Sequence, residues 1–177
     1  MIFNRLFSSL VFVALLWNPA FAQSSKKALK FMVATANPVA SQVGYDILSR
    51  GGNAIDAMVG VQIMLNLVEP QSSGIGGGAF LLFYDAKLKE VTSFDGRETA
   101  PLKAKGDLFL KEDGSPLKFF EGVVGGRSVG TPGTLKLLEV AHKNFGSLPW
   151  RELIQPTIKL AEEGFRVSKR LAASVER

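Results

Sequence analysis

Residues 53–84 read NAIDAMVGVQIMLNLVEPQSSGIGGGAFLLFY, and this stretch predicts a helix, a glycine-rich loop and a strand in that order. Asn53 is a favoured helix N-cap, and Asp56 three positions later completes an acidic variant of the capping box. Between Ile55 and Val68 only three positions are polar, and a helix that is apolar on nearly every face is a buried one. We therefore place this helix inside a layered fold larger than a bare helical hairpin.

The chain leaves this helix at Pro70 and enters the strand Ala79–Tyr84, which is apolar throughout and is therefore expected to be covered on both faces. The loop Ser72–Ala79 matches the letters G-x-G-x-x-A of a dinucleotide site. We reject that site because its fingerprint needs a strand before the loop and a helix after it. We interpret the glycines as permitting close backbone packing or a positive φ, and a loop lining a ligand pocket is the alternative.

Upstream, the pattern predicts a short strand over Phe31–Ala36 and then a helix. Asn37 caps this helix, and Pro38 occupies its first position, where a missing N–H costs nothing. Arg50 and Gly51 are a C-terminal signal, since a cation suits the negative end of the helix dipole and glycine suits a left-handed turn.

Downstream, a second strand at Glu90–Phe94 predicts a hairpin with the first strand, and three helices come later. The first of these helices spans Thr134–Phe145. The second opens at Trp150 and is broken or restarted at Pro156, and the third is capped by Ser168. We expect the first of the three to bury a stripe at helical spacing: Leu135, Leu138, Ala141 and Phe145.

The composition excludes several kinds of site. The 177 residues include no cysteine and one histidine, His142. Disulfides, thiolate zinc sites, iron–sulfur clusters and cysteine nucleophiles are therefore excluded, and so is a metal site built from several histidines. We expect no metal and no cofactor. The lysines are spread along the chain rather than clustered, so no nucleic-acid partner is expected.

The first 22 residues are expected to be a secretory signal peptide. Arg5 lies in its positive start, Leu6–Trp17 is an apolar run too short to span a membrane, and Ala20–Ala22 is an A-x-A cleavage site. Cleavage would leave a polar lead-in at residues 23–30 and, by removing Arg5, lower the net charge from +5 to +4. We expect a secreted or periplasmic protein that meets the membrane only during export; an uncleaved anchor is the alternative.

Arg97 is the best single candidate for binding chemistry. It follows a strand through an Asp-Gly turn, which presents side chains at a sheet edge. An arginine there can hold a carboxylate with two parallel N–H bonds. The alternative is an ion pair with Glu98 or Asp95. These two carboxylates could also form an acid–base pair, but their spacing across a turn favours structural roles.

The other reactive side chains favour structural interpretations. His142 lies beside the apolar stripe of its helix and is expected to be half-buried. No serine or threonine has a base in its sequence context that would mark it as a nucleophile. Two strands and a buried helix need more sheet than this chain supplies, and the last helical residues have no stop signal. We expect residues 31–177 to be the first part of a longer polypeptide.

Several segments, in this order, are similar to the start of the γ-glutamyltranspeptidase family. They are Val33–Pro38, Ile47–Ala57, Glu69–Phe80, Asp95–Pro101, Gly130–Gly133, and Gln155-Pro156 with Ala161–Phe165. The resemblance covers about residues 31–175. It implies an α/β fold, the αββα sandwich of an N-terminal-nucleophile hydrolase, of which only the N-terminal portion of the large subunit is present here.

The resemblance also implies a chemistry. Such precursors cut themselves before a threonine, which becomes the nucleophile at the start of a small subunit and uses its own α-amino group as base. It attacks the γ-glutamyl amide of glutathione or a similar donor, and the acyl group passes to water or an amino acid. In this family the arginine of the Arg-Glu-x-Ala-Pro segment binds the α-carboxylate of the donor, and that position is Arg97.

The family's nucleophilic threonine and oxyanion glycines lie in a C-terminal half that this sequence lacks, so no catalytic residue is expected in the chain. The threonines that it does have lie outside that motif: Thr35, Thr92, Thr99, Thr131, Thr134 and Thr157. The small catalytic subunit is the expected protein partner. Two other interpretations stay open: a related acylase with another donor, and a non-catalytic secreted remnant that binds γ-glutamyl compounds or a partner subunit.

Overall fold

The computed structural model describes residues 27–176. The signal peptide predicted over residues 1–22 lies outside the described residues, and so does the first half of the lead-in. The chain divides after Phe31, and every helix and strand given below belongs to the unit that begins at Met32. None of the described helices is both long enough and apolar enough to span a membrane.

Two helices form the centre of the fold. Helix α1 spans Pro38–Ser49, and helix α2 spans Ala54–Val68. Both caps are as predicted: the Asn37 side chain accepts the Val39 N–H, and Asn53 forms a complete capping box with Asp56. The helices pack so closely that a Cβ added at Gly60 would collide with the end of the Ile47 side chain of α1, which would have to move to make room.

The two strands form an antiparallel hairpin, as predicted. Strand β1 spans Ala79–Asp85 and strand β2 spans Glu90–Gly96, with Ala79 opposite Gly96. Only one face is covered within the described chain, so the prediction of two covered faces is wrong for this part of the protein. The other face exposes Phe80, Leu82 and Tyr84 at 67%, 76% and 59%.

The chain then forms four further helices and one short 3₁₀ turn. They are α3 (Phe119–Val123), the 3₁₀ turn (Gly126–Ser128), α4 (Thr134–Phe145), α5 (Trp150–Glu163) and α6 (Lys169–Val175). Helix α4 covers the inner face of the hairpin, where the Phe145 ring lies 4.7 Å from the Phe83 ring and 6.2 Å from the Phe94 ring. Helix α5 packs on α2 and buries Leu153 completely.

One prediction about the helices is wrong, and a second is wrong in part. Pro156 lies inside an unbroken α5. Proline leaves the carbonyl four residues earlier without its helical donor, and here the Arg50 side chain donates to that Glu152 carbonyl at 3.3 Å. In α4, Leu138 and Ala141 are buried as predicted, but Leu135 is 42% exposed and Leu137 is buried instead, so the prediction is wrong at Leu135.

The predicted strand Phe31–Ala36 is not formed either. A strand needs a neighbour for its backbone hydrogen bonds. In the described part of the chain, β1 and β2 pair only with each other, and no strand is available beside residues 31–36.

Candidate functional site

Arg97 lies directly after β2, at the edge of the hairpin, as the sequence predicts. The Asp95 carboxylate accepts the backbone N–H of Arg97 at 2.9 Å and so fixes the turn. The Arg97 side chain is 70% exposed. The turn therefore presents the guanidinium outward while its backbone is held by the strand.

The Arg97 guanidinium has one partner in the described chain. Its Nε lies 3.6 Å from Glu98 Oε2, so of the two ion pairs considered from the sequence the one with Glu98 is formed. Asp95 instead holds the backbone, so the two carboxylates have different partners. The pair with Glu98 uses the Nε edge, and residues 27–176 offer no partner to the two terminal nitrogens. These nitrogens form the fork that binds a carboxylate in two-pronged fashion.

The glycine loop lies against this pair. A Cβ built on Gly78 would lie 2.5 Å from Glu98 Oε2 and 2.9 Å from the Arg97 Cα. Only glycine allows the loop to approach so closely. None of the loop glycines has a positive φ. Of the two reasons inferred for the glycines, close packing is confirmed at Gly78, whereas Gly74 and Gly76 have no neighbour closer than 4.0 Å.

Helix α4 fixes the same loop from the other side. The backbone N–H groups of Gly133 and Thr134 donate to the Gly77 carbonyl at 3.1 and 3.2 Å. These are first-turn donors of the helix, which otherwise lack partners. The elements occur in the order helix, loop, strand, which agrees with the rejection of a dinucleotide site. The helix whose N-terminus does reach the loop is α4, and its first N–H groups already bind the Gly77 carbonyl.

A cavity of about 520 Å³ opens beside Arg97. Its wall is made of four parts of the chain: Gly76, the segment 97–101, Leu108 with Phe109, and the segment 127–130. The volume lies within the range of small-molecule sites, about 300–1,000 Å³. The glycine loop thus also contributes to a pocket wall, which was the alternative drawn from the sequence.

Two of the wall segments are joined by their backbones. Thr99 and Thr131 form an isolated antiparallel bridge, with N–H to carbonyl distances of 3.3 and 2.8 Å. Arg97 precedes the first of these threonines by two residues, and Arg127 precedes the second by four. Sequence reasoning missed Arg127, because its only local sign is the Gly125-Gly126 pair, which indicates a turn but no binding role.

A buried carboxylate, that of Glu69, anchors the start of the glycine loop, and the sequence analysis did not identify this role. Glu69 is 3% exposed and accepts hydrogen bonds from Asn37 Nδ2 at 2.8 Å and Gln71 Nε2 at 2.5 Å. These hydrogen bonds hold the pKa of Glu69 below its usual range. Arg170 lies 4.0 Å from the same carboxylate and also donates to Ser72. Helices α1 and α6 are thereby tied to the first residues of the loop.

The remaining candidates have structural surroundings. The His142 side chain is 16% exposed, and its Nε2 lies 2.9 Å from the Leu148 carbonyl, in agreement with the predicted half-buried role. Within residues 27–176 no three acidic or histidine side chains are arranged to hold a metal ion.

Comparison with known proteins agrees with this geometry. The chain has the fold of the corresponding part of γ-glutamyltranspeptidase from Helicobacter pylori, with a TM-score of 0.81 and 36% identity over 86% of this chain and 43% of that one. Similarity to a cephalosporin acylase from Bacillus halodurans is lower, with a TM-score of 0.67 and 29% identity over 89% of this chain and 29% of that one. The predicted fold class, part of an N-terminal-nucleophile hydrolase, is confirmed.

The sequence comparisons give the family. The Gamma-glutamyltranspeptidase profile matches residues 40–177, and the glutathione hydrolase proenzyme of Bacillus subtilis (strain 168) is 51% identical over 144 residues, 81% of this chain. The chain belongs to the γ-glutamyltranspeptidase family. It spans about a quarter of the length of the curated relative, 24%.

Proposed function

We propose that this chain provides the donor-binding wall of an enzyme that transfers or hydrolyses γ-glutamyl groups, with glutathione as the donor class. Family membership supports the activity, and the outward fork of Arg97 beside a cavity is the observation that carries the binding role. Arg97 would hold the α-carboxylate of the γ-glutamyl group. The carboxylate would then bridge the two terminal nitrogens while Glu98 keeps the guanidinium oriented through Nε.

The nucleophile comes from outside this chain in this proposal. A threonine at the start of a small subunit would attack the γ-glutamyl amide held against the cavity wall. The C–N bond would break, the amine would leave with the threonine hydroxyl proton, and the acyl group would then pass from the threonine to water or to another amine. What Arg97 contributes is position: a fixed α-carboxylate places the γ-carbonyl at a defined distance from the wall.

We also propose that the protein is exported and that its signal peptide is cleaved after Ala22. N-terminal sequencing of the secreted protein tests this, and a sequence that starts at Met1 would contradict it.

An acylase of the same fold is the second candidate, supported by the similarity to cephalosporin acylase. The unpaired fork of Arg97 favours donors that carry an α-carboxylate, and the higher TM-score of the γ-glutamyltranspeptidase favours the same choice. A remnant without catalytic function is the third, and it predicts binding without turnover.

The test uses a chimeric enzyme in which this chain replaces the matching segment of the Bacillus subtilis relative. Arg97→Lys keeps the charge but loses the planar fork. Loss of charge-assisted hydrogen bonds of about 1.5–3 kcal/mol predicts a roughly ten- to hundredfold fall in kcat/KM for a γ-glutamyl anilide. The fall should be much smaller for a 4-aminobutyryl anilide, which lacks the α-carboxylate.

Two controls accompany this test. Arg151→Lys changes an exposed arginine of α5 that does not line the cavity, and it should leave both donors unaffected. Self-cleavage of the chimeric precursor should survive Arg97→Lys, because it needs no donor. Equal losses on the two donors, or a precursor that no longer cuts itself, would place Arg97 in a structural role with Glu98.

A further inference from the structure

Arg127 lies on the wall of the same cavity as Arg97, in the 3₁₀ turn Gly126–Ser128. The turn is held by its own hydrogen bonds. Ser128 Oγ donates to the Val123 carbonyl at 2.6 Å and the Val129 N–H donates to the Gly126 carbonyl at 3.2 Å. These hydrogen bonds fix the local backbone around Arg127, while its side chain is exposed.

The charges of the wall leave Arg127 uncompensated. In the described part of the chain three charged residues line the cavity: Arg97, Glu98 and Arg127. Glu98 is engaged with Arg97, and residues 27–176 provide no hydrogen-bond or ion-pair partner for the Arg127 side chain. The wall therefore has a net charge of +1, and the uncompensated positive charge is that of Arg127. An anionic group of the ligand would pair with this guanidinium.

The size of the cavity fits a ligand that reaches both arginines. A volume of about 520 Å³ equals that of a sphere about 10 Å across. A peptide of three residues extends at most about 10–11 Å, at 3.3–3.6 Å per residue. A γ-linkage in the first residue adds two carbon–carbon bonds to this length. A γ-glutamyl tripeptide with its α-carboxylate at Arg97 is therefore long enough to cross the cavity, whose wall includes Arg127.

We infer that Arg127 is a second carboxylate-binding subsite that selects donors with a carboxylate at the end remote from the γ-glutamyl group, as glutathione has on its glycine. This inference rests on the proposed function, since it takes Arg97 as the site of the first carboxylate. Arg127 is then a specificity-determining residue: it strengthens binding of peptide donors and contributes nothing to donors whose leaving group is uncharged.

The kinetic test compares glutathione with γ-glutamyl-p-nitroanilide in the chimeric enzyme. Arg127→Gln should raise KM for glutathione about tenfold with little change in kcat, so the ratio of kcat/KM for glutathione over the anilide falls about tenfold. Arg127→Lys should restore part of that ratio, because the charge remains. Arg97→Lys should lower both values and leave the ratio nearly unchanged, and Arg151→Gln serves as the matched surface control.

A second test is independent of turnover. Phenylglyoxal modifies accessible arginines, and mass spectrometry reports which ones react. Glutathione should protect both Arg97 and Arg127, whereas the anilide should protect Arg97 alone. An unchanged donor ratio in Arg127→Gln, or equal modification of Arg127 with and without glutathione, would overturn the second subsite. Absence of turnover together with no protection of Arg97 would instead overturn the proposed function.

Discussion

The carboxylate of Asp56 is joined to Ser147 by two hydrogen bonds that span 91 positions of the chain. Ser147 Oγ donates to Oδ2 at 2.6 Å and the Ser147 N–H donates to Oδ1 at 3.0 Å. Oδ2 also accepts the Asn53 N–H at 2.9 Å, so one carboxylate caps α2 and holds the turn between α4 and α5. Asp56 is 0% exposed, and its loss would leave several buried donors without an acceptor.

We predict that Asp56→Asn destabilises the chimeric enzyme by about 1.5–3 kcal/mol, the usual worth of hydrogen bonds to a charged group. Asparagine keeps the shape but replaces one acceptor oxygen by an N–H₂ group that faces other donors. Urea unfolding measures the change. Asp46→Asn, at an exposed position of α1, is the control and should change the stability by less than about 0.5 kcal/mol. Similar losses in the two variants would show that the buried hydrogen bonds of Asp56 do not cause the loss of stability.

Acid should weaken the same contact. Burial raises the pKa of Asp56, but the hydrogen bonds from Ser147, Asn53 and Leu148 outweigh it and hold the pKa below its ordinary value of 3.8. A carboxyl whose folded pKa is depressed stabilises the fold fully above the unfolded value and loses that contribution as pH falls through the folded one. The stability difference between wild type and Asp56→Asn should thus shrink as the pH falls below about 4. A difference that is flat down to pH 2 would contradict this.

The local features of the fold follow from the sequence because each depends on neighbours along the chain. The caps at Asn37, Asn53 and Ser168 are formed as predicted, since a cap and its donors lie within three residues. The hairpin follows for the same reason, because a short turn joins its two strands. Pro156 misleads because the group that compensates for it, Arg50, lies more than a hundred residues away.

In the candidate site, too, the features set by neighbouring residues can be predicted from the sequence, and those set by distant residues cannot. The position of Arg97 after an Asp-Gly turn is readable from the chain, and so is its possible pair with Glu98. Arg127 is not, because its segment reaches the cavity through the Thr99–Thr131 bridge, which joins residues distant in sequence. The burial of Glu69 depends equally on partners distant in sequence, Asn37 and Ser168.

The glycine loop gives a third prediction. Gly78→Ala places a methyl group 2.9 Å from the Arg97 Cα, a backbone atom that cannot move without shifting the turn. We expect at least a tenfold fall in kcat/KM of the chimeric enzyme for γ-glutamyl-p-nitroanilide. The matched variant Gly74→Ala meets nothing closer than 4.0 Å and should retain activity within about twofold. If both alanine variants kept their kcat/KM, the close approach of the loop to Arg97 would not be needed for activity.

The exposed face of the hairpin gives the last prediction. Phe80, Leu82 and Tyr84 project from β1, and Val91 beside Tyr84 on β2 is 66% exposed. Uncovered strands of this kind associate with one another. Residues 23–177 expressed alone should therefore form soluble aggregates and bind a hydrophobic dye. Light scattering should show less association for Leu82→Lys, which places a charge in the middle of the face.

The same substitution should have the opposite effect in the chimeric enzyme. If the remaining layers of the fold cover this face, Leu82→Lys removes a buried leucine, worth about 1.5–3 kcal/mol, and adds a charge that must be desolvated. The melting temperature should fall by several degrees. Leu88→Lys lies in the turn of the hairpin, 65% exposed, and should leave it unchanged. An isolated chain that is monomeric and melts in one sharp cooperative step would show that the face needs no cover. A chimeric enzyme whose melting temperature is unchanged by Leu82→Lys would show the same, because Leu82 would then be as tolerant of charge as Leu88.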